Sequence, residues 1–200
     1  MRPLKYFLLA TVLFSNGIFA QQFEVENRKF RETIKEEFKD PNESPLTKDD
    51  FETFDGLNFF ELNKALYLKA EFIPNSLPQL IRMPTTTDRQ PLYSTYGELN
   101  FSIDGVNYTL QVYQNQDLMN KEGYEDYLFV PFSDETNREE TYGGGRYLDF
   151  RIPKTDSVML DFNKAYNPYC AYSDRYSCPK VPAQNHLPLR IEAGVLSWKH

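Results

Sequence analysis

The chain has 200 residues, with 22 Lys and Arg against 29 Asp and Glu, a formal net charge of −7. An acidic balance with no basic stripe argues against nucleic acid as a partner, because that binding rests on Lys and Arg at phosphates. The length suits one domain with a core of its own.

Residues 1–20 have the pattern of a secretory signal peptide. Arg2 and Lys5 make a basic start, Phe7 to Phe14 is an apolar run, and Ala20 offers a small residue at the cut before Gln21-Gln22. The apolar run is too short for a membrane anchor, which needs about 20 residues. Cleavage removes two positive charges, taking the formal charge from −7 to −9, and leaves no other segment apolar enough to span a bilayer. The expected location is therefore periplasmic or secreted.

The segment 21–53 reads as a helical arm. Phe23, Phe30, Ile34 and Phe38 fall on one helical stripe, and Asp40-Pro41-Asn42 ends it. Thr47 and Asp50 have the spacing of a capping box for a short second helix. Phe54, Leu57, Phe59 and Phe60 are expected in the core of a main domain over 54–200. From Ala65 the period becomes two. Leu99, Phe101 and Ile103 alternate with polar residues up to Asp104-Gly105, a type I′ turn signal, and Val106, Tyr108, Leu110 and Val112 alternate back. Tyr127–Phe132 fits a buried strand. Arg146–Ile152 and Val158–Phe162 read as a second hairpin, and Leu189–Ile191 and Val195–Trp198 as one or two late strands. The expected fold is mainly β (α+β): an antiparallel barrel or sandwich-like domain carrying an N-terminal helical arm.

Both cysteines lie in "DFNKAYNPYCAYSDRYSC", residues 161–178. Cys170 and Cys178 enclose seven residues, and behind a leader an even pair reads as a disulfide, contributing about 2.6 kcal/mol in the chain-entropy picture. A metal would need His186 and a carboxylate at a spacing no known site uses. The "TYGGGRYLDF" stretch, Thr141–Phe150, lacks the Lys-Ser/Thr of a phosphate loop. Arg146 after three glycines suits an oxyanion or carbonyl, although a flexible loop without chemistry is the simpler reading. In the expected 146–162 hairpin, Asp149 faces Asp161 in one register, and Arg151 faces Asp161 in the other.

The stretches "PFSDETNREETYGGGRYLDF" and "LDFNKAYNPYCAYSDRYSCPKVPAQNHLPLRIEAG", with "SPL" at 44–46 and the aromatic run around Phe54–Phe60, resemble the bacterial and archaeal domain of unknown function 1684 family, over roughly residues 30–194. Asn137-Arg138 departs from the Ser-Gly pair expected there. The resemblance implies no activity. It does imply a shared signature of Arg146, Asp149, Asp161, Asn163, Tyr166, Asn167, Cys170, Cys178 and Asn185.

Three functions fit. A binding module would use Arg146, Asp149, Asp161, Asn163, Tyr166, Asn167 and Asn185, walled by Tyr147, for a small polar ligand, carbohydrate-like or anionic. A hydrolase would use Asp149 and Asp161 as acid and base, with Arg146 stabilising negative charge. A structural envelope protein would use the same polar set to satisfy buried backbone. No cofactor fingerprint, nucleophile triad or zinc motif is present.

Overall fold

The computed structural model describes residues 4–198, with side chains from residue 21 onward. Helix α1 (Leu4–Lys39) runs through the expected leader into the arm, and α2 (Lys48–Glu52) follows. The strands are β1 (Tyr67–Pro74), β2 (Leu80–Arg82), β3 (Leu92–Ile103), β4 (Val106–Asn115), β5 (Tyr127–Asp134), β6 (Arg146–Arg151), β7 (Ser157–Asp161) and β8 (His186–Leu187). Among the described residues no helix is long and apolar enough to cross a membrane.

Local signals set the first pairings. Asp104 and Gly105 take φ of 50° and 80°, the two positive values that a type I′ turn requires. They join β3 to β4 with Ile103 opposite Val106. Thr47 caps α2 by accepting the Asp50 N–H at 3.2 Å, as its spacing suggested.

The sheet order is β6-β5-β4-β3-β1-β7, with β2 added on β3 and β8 lying parallel to β5. β6 and β7 are thus its two ends, yet only residues 152–156 join them. Such a link spans at most about 20 Å, so the sheet has to curl into a half-barrel. Phe162, just past β7, fills the interior, its ring 5.7 Å from Phe101 on β3 and 5.2 Å from Phe132 on β5. Leu99, Leu110, Val130, Leu148 and Leu160 share that core.

The expected 146–162 hairpin does not form. β6 pairs with β5, placing Asp149 opposite Phe129, and β7 pairs with β1, placing Asp161 opposite Tyr67. Neither proposed register across Asp161 exists. The observed pairing gives β1 and β5 a partner on both sides, where a β6–β7 hairpin would leave both with an open edge. The two late strands are also absent. Ile191 and Val195 are buried, and Val195 makes a single bridge to Phe59.

The glycine run is a tight passage onto β6. Gly145 has φ +88°, and a Cβ there would lie 2.6 Å from the Phe132 carbonyl oxygen. The left-handed turn and the close approach together require glycine and aim Arg146 inward. Arg138, at the departure from the family pattern, holds φ 73°, a conformation a glycine would take without strain.

Candidate functional site

β5 and β6 have two differently used faces. Leu128, Val130, Phe132, Arg146 and Leu148 point into the half-barrel, whereas Tyr127, Phe129, Tyr147 and Asp149 point away from it, because successive side chains alternate. α1 and the 166–179 loop cover this second face and enclose a cavity of about 520 Å³. Eight of the chain's fourteen tyrosines line it, so aromatic surface dominates its walls. Phe30, Thr33, Ile34 and Glu37 of α1 form one side. They continue the stripe read from the sequence, Thr33 three residues beyond Phe30 and Glu37 three beyond Ile34.

Asp149 sits within this cavity. Tyr127 Oη donates to its Oδ1 at 2.7 Å and Tyr166 Oη to the same atom at 2.6 Å. Both bonds fall on one oxygen, and no described residue bonds Oδ2. Asp149 is an exposed residue whose side chain opens into the cavity. Burial pushes its pKa above the ordinary value, against the two phenol bonds and the charge of Arg151. The Tyr166 phenol is held well above its usual value, by burial first and then by the Asp149 charge, and stays a proton donor at neutral pH. Burial also raises Glu37, helped by Glu43 and Asp149. Among the described residues no Lys, Arg or His lines the cavity. Arg151, the nearest influence, is bound to Asp126 at 2.6 Å and to the Gly123 carbonyl.

Asn167 stands in the cavity wall with its amide sealed inside. It is 2 % exposed and lines the cavity. Its Nδ2 donates to the Leu196 carbonyl at 2.9 Å, which fixes the amide's orientation, and its Oδ1 has no partner.

The remaining expected ligand residues lie elsewhere. Arg146 is 0 % exposed in the core. Its guanidinium pairs with Asp134 at 2.7 Å, donates to the carbonyls of Ile191 and Ala193, and stacks over Phe132 at 5.2 Å. Alternation explains the correction: Arg146 shares a face with Leu148, not with Asp149. Asp161 accepts from Asn27 Nδ2 at 2.8 Å and from the Asn163 backbone and side chain. Asn163 clamps both backbone groups of Asn63, at 2.7 and 2.9 Å. Asn185 does the same to Gln111, at 2.8 and 2.9 Å, and reaches the Pro131 carbonyl. These residues hold segments together. Of the proposed wall, Tyr147 and Tyr166 do line the cavity.

Cys170 and Cys178 are free thiols in this structure. The Cys170 N–H donates to Cys178 Sγ at 3.1 Å. The loop is also held by the 84–89 segment. Thr86 N–H donates to the Cys178 carbonyl at 2.9 Å, Lys180 N–H donates to the Pro84 carbonyl at 2.8 Å, and Arg89 grips Ser177. A hydrogen bond from Cys178 lowers the Cys170 thiol to about 7 against its burial, with smaller help from Tyr142 and Thr86.

Fold and site together define a curled antiparallel half-barrel whose N-terminal helix closes an aromatic, acidic cavity on the sheet's second face. The family described as "Protein of unknown function (DUF1684)" matches residues 52–196, and the chain belongs to it. A similar solved structure is that of an uncharacterized protein from gene locus rrnAC0354 of Haloarcula marismortui, determined by solution NMR. It shares 30% identity and a TM-score of 0.70, with 90% of this chain and 98% of that chain covered. No curated protein matches.

Two outcomes follow. Arg146→Ala leaves Asp134 buried without its cation and two carbonyls bare, and should cost about 3–5 kcal/mol in a urea melt; a loss below about 1 kcal/mol would contradict the structural role. Asp149 has the opposite sign. Its folded pKa lies above the unfolded one, so the folded state keeps a proton that the unfolded chain has lost. The ligand-free protein therefore loses stability as pH rises from the ordinary carboxylate value, about 3.9, through the folded value. Asp149→Asn should melt higher than wild type at pH 7, and the advantage should vanish below about pH 4; an equal or lower melting temperature at pH 7 counts against a desolvated Asp149.

Proposed function

We propose that this is an exported binding protein that holds a small polar ligand in the cavity between α1 and the second face of β5 and β6. Export rests on the leader pattern of residues 1–20. The observation that carries the ligand reading is Asp149: a carboxylate bonded by two tyrosines, with one oxygen unbonded by any described residue, lining a cavity of about 520 Å³ whose described lining includes no Lys, Arg or His. Pockets for small molecules have this size and this make-up, apolar walls with a few placed polar groups. A packed structural knot would hold no such space.

The same geometry narrows the ligand. An anion finds no cation among the described lining residues, and Arg146 is committed to Asp134. A ligand carrying N–H or O–H donors finds Asp149 and ring faces. The hydrolase reading loses its three residues to separate places, since Asp149 faces the cavity, Asp161 is bound by Asn27 and Asn163, and Arg146 lies in the core.

Thr33 on α1 lines the cavity from an exposed helix position, so Thr33→Trp should fill it while leaving the fold intact. Native mass spectrometry of freshly purified wild type is expected to show a retained small molecule that the variant lacks, with unchanged circular dichroism. If the wild type carries nothing, and its tyrosine fluorescence fails to respond to millimolar monosaccharides or alkylammonium salts, the binding reading fails.

A further inference from the structure

We propose that the ligand is an organic ammonium ion, its charged end held by Asp149 and its apolar body lying against the tyrosine rings; this deepens the binding reading above and rests on it. Charge is the first reason. Two carboxylates, Asp149 and Glu37, line the cavity, and among the described residues no Lys, Arg or His does. A cation within about 4–6 Å of Asp149 favours its ionised form, an advantage that a neutral ligand lacks.

Hydrogen-bonding capacity is the second. Asp149 Oδ1 already takes both phenol protons, while its Oδ2 has no donor from the described residues. An acceptor oxygen left open on the cavity wall suits a donor-rich group, and an alkylammonium head carries up to three N–H donors and a positive charge.

The walls are the third. A cation is attracted to the face of a tyrosine ring within about 6 Å of its centre. At the rim the chain's own arginines already use that attraction: Arg175 lies 4.8 Å over Tyr176, and Arg151 lies 5.8 Å over Tyr124 and 6.0 Å over Tyr127. A metal cation is the poorer occupant, since among the described residues no three His, Cys, Asp or Glu side chains stand together to hold one.

Matched probes separate charge from shape. Benzylammonium is paired with benzyl alcohol, 2-phenylethylammonium with 2-phenylethanol, and choline with 3,3-dimethylbutan-1-ol, each titrated at pH 7 against the full mature chain by calorimetry. At least one cation should bind tenfold or more tightly than its neutral partner. Asp149→Asn should remove most of that difference and leave the alcohol's affinity in place, and Thr33→Trp should weaken both. If no cation binds more tightly than its partner, the ammonium proposal is overturned. Equal binding of a pair, lost in Thr33→Trp, would keep the cavity as a ligand site and refute only the charge preference. Silence of every probe, together with no retained molecule in native mass spectrometry, would remove both.

Discussion

The guanidinium of Arg146 decides how the rest of the polar residues are read. Buried beneath β5 and β6, it joins Asp134 to the carbonyls of Ile191 and Ala193 and so ties the C-terminal segment across the half-barrel. A buried ion pair contributes little net stability over an apolar replacement, but removing one partner is severe. With this cation committed to the core, the described residues that line the cavity on the other face include acids and no Lys, Arg or His. One strand, β6, thus serves two ends: its even positions close the core, and its odd positions, Tyr147 and Asp149, build the site.

Asp149 is the place where structure and stability pull apart. Its carboxylate accepts two phenol hydrogen bonds on one oxygen, and burial raises its pKa. Asn163 and Asn185 each pair like a short stretch of backbone, and Asp161 receives Asn27 and Asn163. The open oxygen of Asp149 is what the proposed ligand reading builds on. α1 belongs to the site as much as to the fold. Phe23 and Asn27 anchor it on β1 and β7, through the Tyr67 ring at 5.1 Å and through Asp161, and its next two turns wall the cavity.

Much of this was legible before the structure. The Asp-Gly hairpin, the helical stripe and the buried 127–132 strand are local signals, and all three elements formed. Asp149, Tyr166 and Asn167 were named as site residues and do meet at the cavity. The β6 alternation also placed Arg146 beside Leu148, on the core face. A charged residue after three glycines outweighed that parity in the sequence reading, and the parity was right. Pairing between distant strands was not legible, because a five-residue link between two strands looks like a hairpin whether the sheet is flat or curled. Glu37 and Thr33 could have been found by extending the stripe of Phe30 and Ile34 three residues at a time. The covering loop's tyrosines could not be assigned to a face, since 3-10 turns carry no period long enough to read.

The central proposal is that Asp149 is a carboxylate awaiting a cation, and its titration tests this most directly. Carbon-13 NMR of the Asp149 side-chain carboxyl, followed against pH in the ligand-free protein and again with saturating benzylammonium, reports that one group. The inflection should lie above the ordinary value of about 3.9 in the free protein and move down when the cation is present. An inflection at the ordinary value, unmoved by the cation, would contradict the account.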